Sequence, residues 1–335
     1  KISLFKIREN NPNKFFMKKL VAIIAGDPES ISSELIAKAW KRKQQFKNIN
    51  IFVIGNYDLL EKQLKFLNIK INIKKINNLE TESFKKTLSI YDVPLNFKKP
   101  FKINKNLKKK YVLKCFELAI KLSKIKKIVG FINCPINKKD VFQSNYGVTE
   151  FLAKKSDVLG KEAMIIYNKK LSVCPITTHV KIKNISKNLS VKKIYEKVIT
   201  INKFYLEKFR FKPKICVLGL NPHNYELLND SEEKKIIVPA IKKLRKKGID
   251  VKGPIPSDTA FINSKSYNIL IGMYHDQVLG PYKTIFNFNA INITAGLPYI
   301  RVSPDHGTGK DIVKKNLASP LSLIESIKFF KAVNV

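Results

Sequence analysis

At 335 residues the chain is long for one compact domain, and with 44% apolar residues it can bury a sizeable core, so about two packed units with a cleft between them are expected. The formal net charge of +38 is almost all lysine, spread along the chain rather than gathered into a basic, aromatic-interleaved stripe, which argues against nucleic acid as a partner. No apolar run approaches the roughly 20 residues of a membrane span, no signal-peptide pattern is present, and Cys115, Cys134, Cys174 and Cys216 form no Cys-x-x-Cys pair, so a cytoplasmic, reducing location without membrane contact is expected.

Residues 1 to 16 are polar and patternless and read as a disordered overhang ahead of a start at Met17. Leu20 to Ala25 is a short apolar run closed by Gly26-Asp27-Pro28 and followed by helical spacing from Ser30 to Trp40, the pattern of a buried parallel strand feeding a helix. The unit recurs with a strand at Ile51 to Ile54 and a helix from Tyr57 to Leu67. Ile69 to Ile76 reads as a further strand, and the Lys/Asn-rich residues 77 to 108 as mostly loop. An amphipathic helix over Tyr111 to Leu122 leads to a strand at Ile128 to Phe131, which ends at Asn133-Cys134-Pro135. Ala163 to Tyr167 and Leu171 to Thr177 read as a strand pair, and Ile185 to Phe209 as one or two helices.

A strand over Lys214 to Leu218, a helix over Glu232 to Lys247 with a kink near Pro239, strands at Ile269 to Met273 and Ala290 to Thr294, and a last helix from Leu321 to Val333 complete the pattern. Strands alternating with helices predict an α/β fold with a largely parallel sheet. The expected division is a first α/β unit over 17–140 plus 305–335 and a second over 141–304 that carries the site.

The chemistry concentrates between Ile271 and Gly309. His179, His223 and His275 each follow a short apolar strand, so in an open sheet they can share one ligand-facing edge, and three imidazoles with open positions would suit zinc or another divalent ion. Arginine occurs only at positions 8, 42, 210, 245 and 301, which makes Arg301 conspicuous. With Lys283 and Asn292, at intervals fitting a loop, a strand and a further loop, it forms a candidate phosphate or carboxylate site. Asp276 and Asp258 are candidate bases, imidazole orienters or plain turn caps. No Gly-x-Gly-x-x-Gly or Walker loop is present; His306-Gly307-Thr308 is a weaker candidate nucleotide loop.

At Gly26-Asp27-Pro28, Gly147-Val148-Thr149-Glu150-Phe151-Leu152-Ala153, Thr177-Thr178-His179, Gly219-Leu220-Asn221-Pro222-His223, Tyr274-His275-Asp276-Gln277 and Asn292-Ile293-Thr294 through His306-Gly307-Thr308, the chain resembles the PdxA family, the 4-hydroxythreonine-4-phosphate dehydrogenases of vitamin B6 synthesis. The resemblance implies two α/β/α domains of the isocitrate/isopropylmalate-dehydrogenase type and a homodimer with its active site in the cleft at the subunit interface. It implies His179, His223 and His275 as ligands of a zinc, magnesium or cobalt ion, with both subunits contributing. Thr149, Lys283, Asn292 and Arg301 would be substrate contacts, and His306, Gly307, Thr308 and Asp311 the loop for NAD, or NADP. The implied reaction is oxidation of 4-phosphohydroxy-L-threonine and loss of carbon dioxide. A sister enzyme acting on a phosphorylated four-carbon sugar acid, or a non-catalytic phosphometabolite-binding homologue, are the alternatives. The family's Gly-His-Thr-Glu reads Gly147-Val148-Thr149-Glu150 here, so one substrate-contacting histidine is replaced by valine.

Overall fold

Val21-Ala22-Ile23-Ile24 is wholly buried, as a strand covered on both faces must be, and forms most of β1 (Lys19–Ile24) in a computed structural model that describes residues 19–79, 84, 86–142, 147–223, 228–287 and 289–334. The expected overhang and the start at Met17 lie outside the described residues. Next come α1 (Ser32–Lys41), β2 (Ile49–Gly55) and α2 (Tyr57–Phe66), the last capped by Asn56, whose Oδ1 accepts from Leu59 N at 2.9 Å. β3 (Ile73–Ile76), β4 (Leu88–Asp92), α3 (Lys105–Lys124), β5 (Gly130–Asn133) and the short α4 (Lys138–Val141) follow.

Two features of the segment read as loop differ from expectation. The sheet buries Leu88, Ser89 and Ile90 completely, so a strand too short to show a period among lysines and asparagines forms by pairing. Asn104 accepts from Asn106 N and Leu107 N and so starts α3 well before its apolar face begins at Tyr111.

The chain continues through α5 (Val148–Lys155), β6 (Ala163–Tyr167), β7 (Ser172–Thr177), α6 (Val191–Phe204), β8 (Ile215–Leu218) and α7 (Val238–Lys246). A π-helical turn at Glu233–Ile237 precedes α7, so the expected irregularity at Pro239, which has no N–H to donate, becomes a wide turn. Last come β9 (Val251–Ile255), α8 (Ser257–Ala260), β10 (Ile269–Tyr274), α9 (His275–Phe286), β11 (Ile291–Ala295), β12 (Ile300–Pro304) and α10 (Leu321–Ala332).

All strands join one 12-stranded sheet in the order β3-β4-β2-β1-β5-β12-β11-β6-β7-β10-β8-β9. Pairing is parallel except at β12–β11, β11–β6 and β6–β7. The expected α/β class and largely parallel sheet are therefore what the chain forms. The antiparallel trio sits at the middle, so β5 and β7 run in opposite directions on either side of it. β7, β10 and β8 are neighbours and mutually parallel, which brings the turns bearing His179, His275 and His223 to one edge.

Candidate active site

A side-chain period of two makes the floor of the site. Met164 and Ile166 on β6, Asn292 and Thr294 on β11, and Arg301 and Ser303 on β12 share one face, in register as Asn292↔Ile166, Thr294↔Met164 and Asn292↔Ser303. The intervening Ile165, Ile293 and Val302 belong to the main apolar core on the other side. A cavity of about 300 Å³ stands over this floor. Its walls are Asn133 at the end of β5, Pro135 and Ile136 just after it, Lys138 of α4, Gly147 to Glu150 at the start of α5, Thr178-His179 after β7, and the segment from Pro304 to Gly307.

The remaining wall is one stripe of α9: His275, Leu279 and Lys283, four residues apart. The spacing from His275 put Lys283 in a loop. Instead the helix runs through Pro281, held by the buried Val278 and Tyr282, an instance of packing overriding local propensity.

Arg301 is 2% exposed. Its Nε donates to Asn133 Oδ1 at 2.7 Å and its Nη1 to Thr294 Oγ1 at 2.9 Å, so its fork is aimed by neutral acceptors. Burial lowers its pKa to about 10, which leaves it charged at neutral pH. Beside it Asn292 Oδ1 is buried without a partner, and Thr149 Oγ1 lies 3.4 Å from Thr294 Oγ1. Lys283 Nζ pairs with Asp305 Oδ2 at 3.0 Å. The predicted Thr149, Lys283, Asn292 and Arg301 thus come together from α5, α9, β11 and β12. A buried cation with adjacent free acceptors and donors suits a small polyanion carrying hydroxyls.

His179 and His275 also meet here, with ring centroids 6.3 Å apart. His275 Nδ1 and Asp276 Oδ1 are 2.6 Å apart, a contact that fixes the ring through its Nδ1 side. Asp276 touches His275 but does not itself line the cavity. Burial, and then the charge of Lys138, lower the pKa of His179 and favour the neutral imidazole that a metal requires.

His223 does not join them within the chain. It is exposed, at φ 47° in the turn after β8, and does not line the cavity. Among the described residues no group of three or more His, Cys, Asp or Glu is disposed to hold a metal. A shared edge is not convergence: the turn after β8 carries its histidine away from the other two. Asp258 is likewise exposed and outside the cavity; its Oδ1 accepts from Thr259 N at 2.9 Å in the first turn of α8.

A larger cavity of about 1210 Å³ meets the first at Lys283, Asp305, His306 and Gly307, and is lined further by Ile31, Leu171, Phe286, Ile312 and Leu317. His306 Nε2 is buried without a partner at this junction, where it has a donor or acceptor to offer. Thr308 supports the loop through its carbonyl, which accepts from Ile31 N at 3.2 Å, while Asp311 is exposed and lines neither cavity. Asn133 and Lys138 are wall residues that sequence reasoning missed. Asn133 was placed at a strand end without a role, and Lys138 is one lysine among many.

The family model for pyridoxal phosphate biosynthetic protein PdxA matches residues 47–330. The 4-hydroxythreonine-4-phosphate dehydrogenase of Sulfurihydrogenibium sp. is 40% identical over 92% of this chain and 96% of its own length. The D-threonate 4-phosphate dehydrogenase of Salmonella typhimurium is 34% identical over 92% of this chain and 97% of its own. The crystal structure of 4-hydroxythreonine-4-phosphate dehydrogenase from Klebsiella pneumoniae superposes with a TM-score of 0.81 at 29% identity, covering 93% of this chain and 98% of that one. With a match of this extent, the chain belongs to the PdxA family.

Proposed function

We propose that the chain oxidises 4-phosphohydroxy-L-threonine at its C3 alcohol, with NAD or NADP as hydride acceptor, to a β-keto acid that loses carbon dioxide and leaves 3-amino-2-oxopropyl phosphate. The observation that carries this reading is the buried Arg301, with no carboxylate partner among the described residues and with Asn292, Thr149 and Lys283 around it, a step away from two facing imidazoles. Likeness to relatives that act on 4-hydroxythreonine 4-phosphate supports the same choice.

The residues present fit a divalent ion: His275, oriented by Asp276, and His179 offer two neutral imidazole nitrogens beside the floor. Such an ion, when bound, supplies Lewis acidity that lowers the pKa of the substrate hydroxyl and polarises the developing carbonyl. The large cavity fits a dinucleotide, since it opens on the floor at His306-Gly307 with an orphaned imidazole nitrogen and apolar walls for a ring system. Arg301 and Lys283 bind and orient the acidic substrate, Asn292 and Thr149 fix its hydroxyl-bearing carbons, and Leu279, Met164 and Ile166 exclude water from one side.

The remaining imidazole, in this reading, comes from His223 of a second copy. Exposed apolar side chains stand on the turns at that end of the sheet, with Ile182 79% exposed after β7, Leu228 62% after β8 and Ile262 77% after β9, as expected of a face that pairs with a copy of itself. Formation of NADH or NADPH from 4-phosphohydroxy-L-threonine, abolished by a chelator and restored by zinc, magnesium or cobalt, is the expected result. Turnover unaffected by exhaustive chelation would remove the metal from the proposal.

A second reading has an observation behind it. Relatives that act on D-threonate 4-phosphate are also similar, and Val148 stands where the family has a substrate-contacting histidine. Side-by-side kcat/KM for the two acids decides between them, and a preference for the sugar acid would displace the first reading. Val148→His is expected to raise kcat/KM for the better substrate several-fold, by roughly 0.5–1.5 kcal/mol, the net value of one hydrogen bond. Val148 already lines the cavity, and the Gly147 turn is held by Glu150 Oε2 accepting from Gly147 N at 2.9 Å. Val148 also packs in an apolar cluster with Phe142 and Leu152, so a fall in both kcat/KM and Tm would mean that the pocket has been rebuilt around valine.

A further inference from the structure

Lys138 is the first residue of α4 and lines the smaller cavity between the end of β5 and the start of α5. The backbone that presents it is pinned on both sides by an ion cluster. Asp27 Oδ2 accepts from Asn137 N at 3.2 Å, and Asn137 Nδ2 donates to Asp140 Oδ2 at 2.8 Å. The buried Lys108 Nζ then lies 2.9 Å from Asp140 Oδ2, 2.6 Å from Glu29 Oε2 and 3.8 Å from Asp27 Oδ1. The residue before Lys138 and the one two after it are thereby tied to the turn leaving β1, an anchorage that a lysine on a solvated face does not need.

The charges around the cavity are unequal. Lys283 has Asp305 as its partner, whereas neither Arg301 nor Lys138 has a carboxylate within ion-pair distance among the described residues. Glu150, the nearby acid, is engaged with Gly147 N. Desolvation lowers the pKa of Lys138, with Glu150 acting against this and Arg301 adding to it, consistent with an ammonium that faces both. A phosphate monoester carries about −1.5 to −2 at pH 7 and is best held by more than one cation. The N-terminal turn of α5 forms the same stretch of wall, and its dipole favours an anion there.

We propose that Lys138 is a substrate-binding residue that holds the phosphate group, working with Arg301 and the first turn of α5. The inference rests on the reading of the cavity as a phosphorylated-acid site. The test is calorimetric titration of the wild type, Lys138→Met and Lys138→Arg with 4-phosphohydroxy-L-threonine, D-threonate 4-phosphate and inorganic phosphate, without cofactor. The expected result is binding to the wild type that is roughly ten- to hundredfold weaker in Lys138→Met and within a few-fold of wild type in Lys138→Arg, for the preferred acid and for inorganic phosphate alike. Lys138 is exposed, so both variants should keep the wild-type Tm. If Lys138→Met binds the acid within twofold of wild type, the proposal is wrong. If it loses affinity for the acid but not for inorganic phosphate, the assignment to the phosphate group is wrong. Failure of the wild type to bind either acid would instead overturn the proposed function itself.

Discussion

Arg301→Met is expected to lower kcat/KM for the phosphorylated substrate by on the order of 10²–10³-fold without lowering Tm. The two halves of that expectation have different physical origins. The loss follows from removing a fully buried, pre-aimed cation, since truncating one partner of a desolvated hydrogen-bonded charge pair costs about 2–5 kcal/mol of binding. The retained stability follows from Arg301 having no carboxylate partner among the described residues. Its guanidinium is held by Asn133 Oδ1 and Thr294 Oγ1, and burial already pushes its pKa down to about 10. Methionine leaves those two oxygens short of a donor, at about 1–3 kcal/mol each where no other partner is found, but it also removes the cost of an unpaired buried charge, which is several kcal/mol. Thr294 keeps its approach to Thr149 at 3.4 Å. Arg301→Lys separates charge from shape: a point charge without the planar fork should bind about 1.5–3 kcal/mol less tightly. A drop of several degrees in Tm alongside the lost activity would recast Arg301 as a packing residue and move the anion site elsewhere.

Arg301 was legible in the sequence because arginine is rare in a lysine-rich chain. His179 and His275 were legible because each follows a buried strand, and neighbouring parallel strands deliver such residues to one edge. The same reasoning does not say where His223 and Asp258 point: both stand on exposed turns outside the cavity, and turn direction is not written in an apolar pattern. β12, which carries Arg301 itself, was not seen as a strand; Leu297-Pro298 and Pro304 bracket it closely, and only pairing with β5 and β11 makes it one. Lys138 was invisible for the opposite reason to Arg301. What distinguishes it is the ion cluster of Asp27, Glu29, Lys108 and Asp140, assembled from three separate parts of the chain, and no local window contains that information.

His223→Ala and His275→Ala are each expected to be folded and inactive, and a mixture of the two, unfolded and refolded together or co-expressed, is expected to recover about a quarter of wild-type activity. The argument is combinatorial. His275 stands with His179 on the cavity wall, whereas His223 is exposed on the turn after β8 and does not line that cavity. If His223 serves the site of the partner in a two-fold dimer, each homodimer of either variant has two broken sites. A hybrid dimer has one site missing both residues and one with all three imidazoles intact. Random exchange makes half of all dimers hybrids, and each hybrid contributes half the wild-type sites. Neither substitution should cost much stability, because His223 is exposed and His275 lies at the start of α9 rather than within the core. Retention of wild-type activity by His223→Ala would remove it from the metal set. Two inactive variants that recover nothing on mixing, although native mass spectrometry shows that hybrids have formed, would place all the ligands within one chain. That outcome would require the turn at Gly219 to His223 to fold over the cavity when metal binds.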